Sequence, residues 1–141
     1  MITPCPMEDR LALEDLAIAY CCAVDRIGDI DGVTALFSPE AIYDISSLGL
    51  GQMRGPKAIA AFFATAFAGM AQNAHFLSNF VVTAHRGDTA SATAYVHGYS
   101  LGKDGVLLEV KAQYALEYTR TAGDWRISRL VLAMLTPPSQ S

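Results

Sequence analysis

Four long strand-forming runs fill the second half of this chain, and only short turns separate them. His75 to His85, Thr89 to Ser100, Val106 to Arg120 and Trp125 to Leu135 are rich in β-branched and aromatic residues. Between them lie Arg86-Gly87-Asp88, Gly102-Lys103-Asp104-Gly105 and Ala122-Gly123-Asp124, which read as turns. Connections this short join antiparallel neighbours, so the four runs form a meander. Pro137-Pro138 ends the last strand.

The first half reads as helical. From about Met7 to Asp25, the residues Leu13, Leu16, Ala17, Tyr20 and Val24 recur on one face of a helix, and Leu11, Ile18 and Cys22 form a second stripe. Two stripes predict a helix covered on two sides. Gly28 breaks it. Asp29 is a good N-cap for a short second helix, which Ser38-Pro39 ends. Ala41 to Ser46 reads as a strand, with Tyr43 and Ile45 on one face and Ile42 and Asp44 on the other. Ser47 to Gly55 reads as loop. Pro56 opens a third helix whose broad apolar face carries Ile59, Phe62, Phe63, Phe67 and Met70. Three helices cannot cover both faces of a large sheet. The expected architecture is therefore α+β: a strongly curved, mainly antiparallel sheet wrapped around three N-terminal helices, with an internal apolar pocket.

Composition fits one domain over residues 1–141. The chain is 52% hydrophobic and 17% charged, which leaves little room for a disordered tail. So high an apolar fraction points to a lined cavity, a covered face in a homodimer or homotrimer, or both. The net charge is −4 with no basic cluster, so nucleic acid is not an expected partner. No apolar run approaches the roughly 20 residues of a membrane span, and the first residues lack a signal-peptide pattern. Cys5, Cys21 and Cys22 form no even disulfide framework, and a reduced, cytoplasmic setting fits them; Cys21 and Cys22 are expected as small core residues. No metal-ligand cluster, phosphate loop or dinucleotide fingerprint is evident, so no cofactor is expected.

Against this background two polar residues stand out. Asp25 ends the first helix, and His75 starts the first long strand, both in strongly apolar surroundings. A carboxylate and an imidazole are each costly to bury alone but can be buried as a hydrogen-bonded pair. Such a pair facing a pocket is a general base held in one tautomer. The competing reading is a buried structural pair, or an aspartate that merely caps the next helix. Phe62, Phe63, Phe67, Met53 and Met70 would line a cavity under the third helix, which then suits a small hydrophobic, aromatic or polycyclic substrate.

The order of elements resembles the nuclear-transport-factor-2-like superfamily, and the resemblance implies a cone-shaped fold formed by a bent sheet and three helices. Asp25-Arg26-Ile27-Gly28-Asp29-Ile30-Asp31-Gly32-Val33-Thr34-Ala35-Leu36-Phe37 looks like its junction of helices one and two. Arg54-Gly55-Pro56-Lys57-Ala58-Ile59 looks like the start of its helix three, and Gly123-Asp124-Trp125-Arg126-Ile127 like its last hairpin. The match runs from about Asp9 to Pro137. Within the superfamily, Asp25 and His75 match the Asp–His pair of the SnoaL-like branch that includes scytalone dehydratase, bile-acid dehydratase and hexachlorocyclohexane dehydrochlorinase. Tyr20 matches the tyrosine of the bile-acid dehydratase pattern. The catalytic aspartate of ketosteroid isomerases falls near Ile45, with Asp44 on the opposite face, which argues against that mechanism.

The resemblance implies a cofactor-independent lyase, dehydratase-like, in which His75 takes a proton from carbon and Asp25 orients it. An isomerase or cyclase would use the same pair, and a plain ligand-binding module could share the fold. Tyr20 is a candidate donor to a leaving hydroxyl or an enolate. Tyr43 is a candidate pocket residue. His97 serves the site if its strand face is concave, or an oligomer interface if convex. Arg129, expected on one face with Trp125, Ile127 and Val131, either holds a leaving anion or makes an ion pair. His85, beside a turn, is expected in solvent, and Asn79 is expected to be structural.

Overall fold

A computed structural model describes residues 4–141. Its elements follow the order helix α1 (Met7–Asp25), helix α2 (Ile30–Thr34), strand β1 (Phe37–Asp44), a 3₁₀ turn (Ser46–Leu48), strand β2 (Gln52–Arg54), helix α3 (Gly55–Ala68), and strands β3 (Met70–His85), β4 (Thr89–Gly102), β5 (Leu107–Thr121), β6 (Asp124–Met134) and β7 (Ser139–Gln140). The strands form one curved, unclosed sheet in the order β2-β1-β6-β5-β4-β3, with β7 paired to β5. All pairings are antiparallel except β1 with β6, which closes the turn from the N-terminal half onto the meander. This is the curved α+β sheet expected from the pattern of elements, and it has the cone form that the resemblance implied. No helix among the described residues is long and apolar enough to cross a membrane.

The core lies between the concave face of the sheet and the helices. Leu13, Ala17, Tyr20 and Val24 of α1 meet Leu116, Tyr118, Ile127 and Leu130 of the sheet, all of them buried. Tyr118 also donates to the Leu13 carbonyl at 3.0 Å, which ties the middle of α1 to β5. From α3, Ile59, Phe63 and Phe67 are buried at the spacing of one helical stripe.

Several expectations need correction. β1 begins at Phe37, not after Pro39: Phe37 pairs with Ile127 while Ile42 pairs with Arg129, so Pro39 sits in a bulge that needs no ladder donor from it. The 47–55 loop contains a 3₁₀ turn and the short β2. The Asp44 carboxylate organises it, accepting from the Ser46 amide (3.0 Å), the Ser46 hydroxyl (2.6 Å) and Gln52 Nε2 (2.9 Å). The second stripe of α1 is uncovered: Leu11 and Ile18 are 49% and 44% exposed. Cys22 is exposed with them, whereas Cys21 is buried.

His85 is not in solvent. It is buried, and its Nε2 lies 2.9 Å from Asp9 Oδ2. Asp9 also accepts from Arg120 Nη1 (3.0 Å) and Trp125 Nε1 (3.3 Å), and the Arg120 guanidinium stacks on the Trp125 ring. This network ties the first turn of α1 to β3, β5 and β6. Burial by itself would raise the Asp9 pKa. The hydrogen bonds from His85 and Trp125 and the Arg120 charge outweigh it and hold the carboxyl below its ordinary value.

Candidate active site

The chain returns to the C-terminal end of α1 through β3. The last carbonyls of a helix lack partners, and a carboxylate there opposes the helix dipole. Both needs are met from β3. Asn73 Nδ2 donates to the Val24 carbonyl (3.3 Å), and His75 binds Asp25 twice: its backbone N–H donates to Oδ2 (3.0 Å) and its ring Nδ1 lies 2.6 Å from Oδ1. A carboxylate only accepts, so Nδ1 carries the hydrogen, and in the neutral form of the ring the lone pair is on Nε2.

Asn73 and His75 both face inward, because they are two residues apart on one strand. Their partners across the ladder are Ser100 and Gly98. A Cβ built on Gly98 would stand 3.1 Å from His75 Cδ2 and 3.3 Å from Nε2, so the absent side chain leaves room for the ring. The imidazole thus lies on the wall of a cavity of about 120 Å³. Val24, Val96, Leu108, Val110 and Leu132 supply apolar lining, and Phe62, Phe63 and Met70 cover it from α3 and the start of β3.

Three phenols converge on this cavity. The Tyr20 and Tyr43 hydroxyls are 2.6 Å apart, and Tyr114 stands edge-on to Tyr20 with ring centroids 5.8 Å apart. Tyr43 in turn packs on Phe62 and Phe63 at 5.9 and 5.4 Å. Burial raises all three phenols, Tyr43 to about 12 and Tyr20 and Tyr114 well above the ordinary value, so they stay protonated donors. The same cause takes the neighbouring Cys21 thiol to about 12 and keeps it an inert core group.

The residues singled out in the sequence therefore divide. His75, Asp25, Tyr20, Tyr43 and Phe62 come together at or beside the cavity. Met53 packs against the core from β2 and does not line it. His97 faces the other side of the sheet. Ala94, Val96 and Gly98 of β4 are buried inward, so Tyr95, His97 and Tyr99 alternate outward. There His97 Nε2 lies 2.6 Å from Glu109 Oε2. Arg129 is also outside, 3.6 Å from Glu117 Oε2, because a bulge intervenes: Tyr118 pairs with Ile127 but Glu117 with Arg129. The extra residue, Ser128, reverses the alternation, and Arg129 leaves the face of Trp125 and Ile127. Sequence reasoning missed Tyr114, Asn73 and Gly98. The inward period of β5, with Val110, Ala112, Tyr114, Leu116 and Tyr118 buried, would have marked Tyr114. Among the described residues no group of three or more His, Cys, Asp or Glu is placed to hold a metal ion.

Known proteins agree with this geometry at the level of fold and family. The SnoaL-like domain model matches residues 6–131. An uncharacterized protein of Mycobacterium tuberculosis (strain ATCC 25618 / H37Rv) is 32% identical over 135 residues, covering 93% of this chain and 88% of its own. A solved protein of Novosphingobium aromaticivorans, provisionally named an aromatic ring hydroxylase, is 45% identical with a TM-score of 0.95, over 98% of this chain and 96% of that one. A hexachlorocyclohexane dehydrochlorinase of Novosphingobium barchaimii shares the fold at a TM-score of 0.82 and 19% identity, covering 94% and 91%. A second Novosphingobium aromaticivorans protein, provisionally named scytalone dehydratase, shares it at 0.83 and 17%, also covering 94% and 91%. The chain belongs to the SnoaL-like domain family, within the nuclear-transport-factor-2-like superfamily.

Proposed function

We propose that this protein is a cofactor-independent lyase, dehydratase-like, acting on a small hydrophobic hydroxylated substrate. The observation that carries the reading is the 2.6 Å contact between His75 Nδ1 and Asp25 Oδ1, made beside an apolar cavity. His75 Nε2 takes a proton from carbon, and the C–H electron pair becomes the new double bond. The adjacent C–O bond breaks, and the departing hydroxide takes a proton to leave as water. Asp25 stabilises the imidazolium as it forms. The Tyr20, Tyr43 and Tyr114 hydroxyls, kept neutral by burial, are the candidate donors to the oxygen that gains charge. Fold relatives named for dehydration and dehydrochlorination support an elimination.

Within this reading residues 1–141 act as one domain, no metal or organic cofactor takes part, and His97, Arg129 and Met53 stand outside the chemistry. The protein works as a homodimer or homotrimer, whose interface would cover apolar residues exposed in the single chain, such as Phe76, Val81 and Tyr95.

A screen of hydroxylated aromatic and steroid-like compounds, followed by product analysis, tests the function. Turnover is expected for wild type and lost in His75→Ala; unchanged turnover in that variant removes the mechanism.

The name of the 45% identical structure favours a second reading, a subunit of a ring-hydroxylating oxygenase. That reaction needs dioxygen and a reductant, whereas elimination needs neither. Turnover by the purified chain under anaerobic conditions separates the two.

A further inference from the structure

We propose that Ser100 is a specificity-determining residue, and that its hydroxyl binds a second oxygen of the substrate, at the end of the cavity away from the phenols. The ladder fixes the face it takes. Directly opposed residues of an antiparallel pair put their side chains on one face. Ser100 is opposed by Asn73 on β3 and by Leu108 on β5, and all three belong to the cavity wall. The register of β4 with β5 is unbroken from Leu101 with Leu107 to Thr89 with Thr119, so no bulge turns Ser100 away from the inner face of Ala94, Val96 and Gly98. Its hydroxyl has no hydrogen-bond partner among the described residues. Among those residues the buried side-chain polar atom left without a partner is Asn73 Oδ1, so the unpartnered Ser100 hydroxyl is open to solvent. An accessible, uncommitted hydroxyl on a largely apolar wall is the kind of group that orients a ligand.

Position along β4 defines the ligand. The His75 ring lies against Gly98. Ser100 follows two residues later, about 7 Å along the strand. In the other direction Tyr114 is opposed to Ala94, four residues or about 13 Å from Gly98, and Tyr20 and Tyr43 join it there. The imidazole therefore stands between two polar ends, the phenols and Ser100. Val96 and Val110 offer no polar atom from their side chains between them, so the body of the ligand is hydrocarbon. A cavity of about 150 Å³ holds one benzene ring, so about 120 Å³, open at one side, accommodates a single ring at its depth. The class that fits is a monocyclic compound with oxygen functions at opposite ends of the ring. That His75 Nε2 takes a proton from a C–H held between those ends rests on the lyase reading. The binding preference does not.

The probes are 4-(hydroxymethyl)phenol and 4-ethylphenol, which share the phenolic end and differ at the other by a hydroxyl in place of a methyl of similar size. Dissociation constants are measured by titration of ¹⁵N-labelled wild type, Ser100→Ala and His75→Ala. Ser100→Ala is expected to weaken 4-(hydroxymethyl)phenol about threefold to tenfold relative to 4-ethylphenol. Its melting temperature should stay near that of wild type, because the hydroxyl has no partner in the protein to lose. In His75→Ala the ratio of the two constants is expected to keep its wild-type value. An unchanged ratio in Ser100→Ala overturns the proposal. So does a ratio that moves as far in His75→Ala, which would give the second oxygen to the imidazole, and so does a wild-type protein that binds neither probe at millimolar concentration. These constants need no turnover, so failure of the lyase reading, seen as the absence of any product, leaves them intact.

Discussion

Asp25 holds His75 at two points, one carboxylate oxygen on the ring and the other on the backbone N–H of the same residue, across fifty positions of sequence. The double bond fixes both the path of β3 and the angle of the imidazole. An Asp25→Asn side chain can offer its amide hydrogens to Nδ1 and so favour the wrong tautomer. We expect kcat to fall by about a thousandfold or more, as in other bases oriented by a carboxylate. Steady-state kinetics on any substrate found by the screen checks this, and a loss under tenfold contradicts it.

Gly98 is expected to be as sensitive as a reacting group although it has no side chain. The Cβ of Gly98→Ala would press on Cδ2 and Nε2 of His75 at 3.1 and 3.3 Å. A shift of the ring by a fraction of an ångström to an ångström costs on the order of a hundredfold in rate. Thermal melting should change little, and wild-type kcat in a folded Gly98→Ala protein would contradict the placement of the ring.

The tyrosines separate packing from chemistry. Tyr118→Phe loses only the bond to the Leu13 carbonyl, and about 1 kcal/mol of stability is expected to go with it, activity being kept. Tyr20→Phe leaves the buried Tyr43 hydroxyl without its 2.6 Å partner, so about 1 to 3 kcal/mol should go, together with a kcat loss of about tenfold to a hundredfold. Denaturant melts and kinetics on the same preparations give both numbers. Equal behaviour of the two variants would place Tyr20 outside the chemistry.

Acid stability should follow Asp9. Its folded pKa is lowered, so its contribution is present above the ordinary carboxylate value of about 3.9 and is lost as pH falls through the depressed folded value. Asp9→Asn should melt lower than wild type near pH 7, and the gap should narrow below about pH 4. Melting curves at a series of pH values check it, and a gap that widens in acid reverses the sign of the argument.

Association is expected because the single chain leaves Phe76 at 61% and Val81 at 55% exposure. Light scattering should report a dimer or trimer, and a stable monomer at micromolar concentration contradicts it.

Much of this was legible in the residues. Helical and alternating periods, with Gly28, Pro56 and the three turns as breaks, set the order of elements. The apolar context of Asp25 and His75 marked the pair, because isolated burial of either is unfavourable. What the linear order could not supply was parity and convergence. A single bulged residue, Ser128, reversed the face of Arg129, and the curvature of the sheet put His97 outside. His85 was hidden by a partner 76 positions earlier, Asp9. Tyr114 and Asn73 reached the pocket through ladder pairing and the docking of α1, contacts between segments far apart in sequence. Local pattern reports which face a residue takes only until a bulge intervenes, and it carries no record of which distant segment that face will meet.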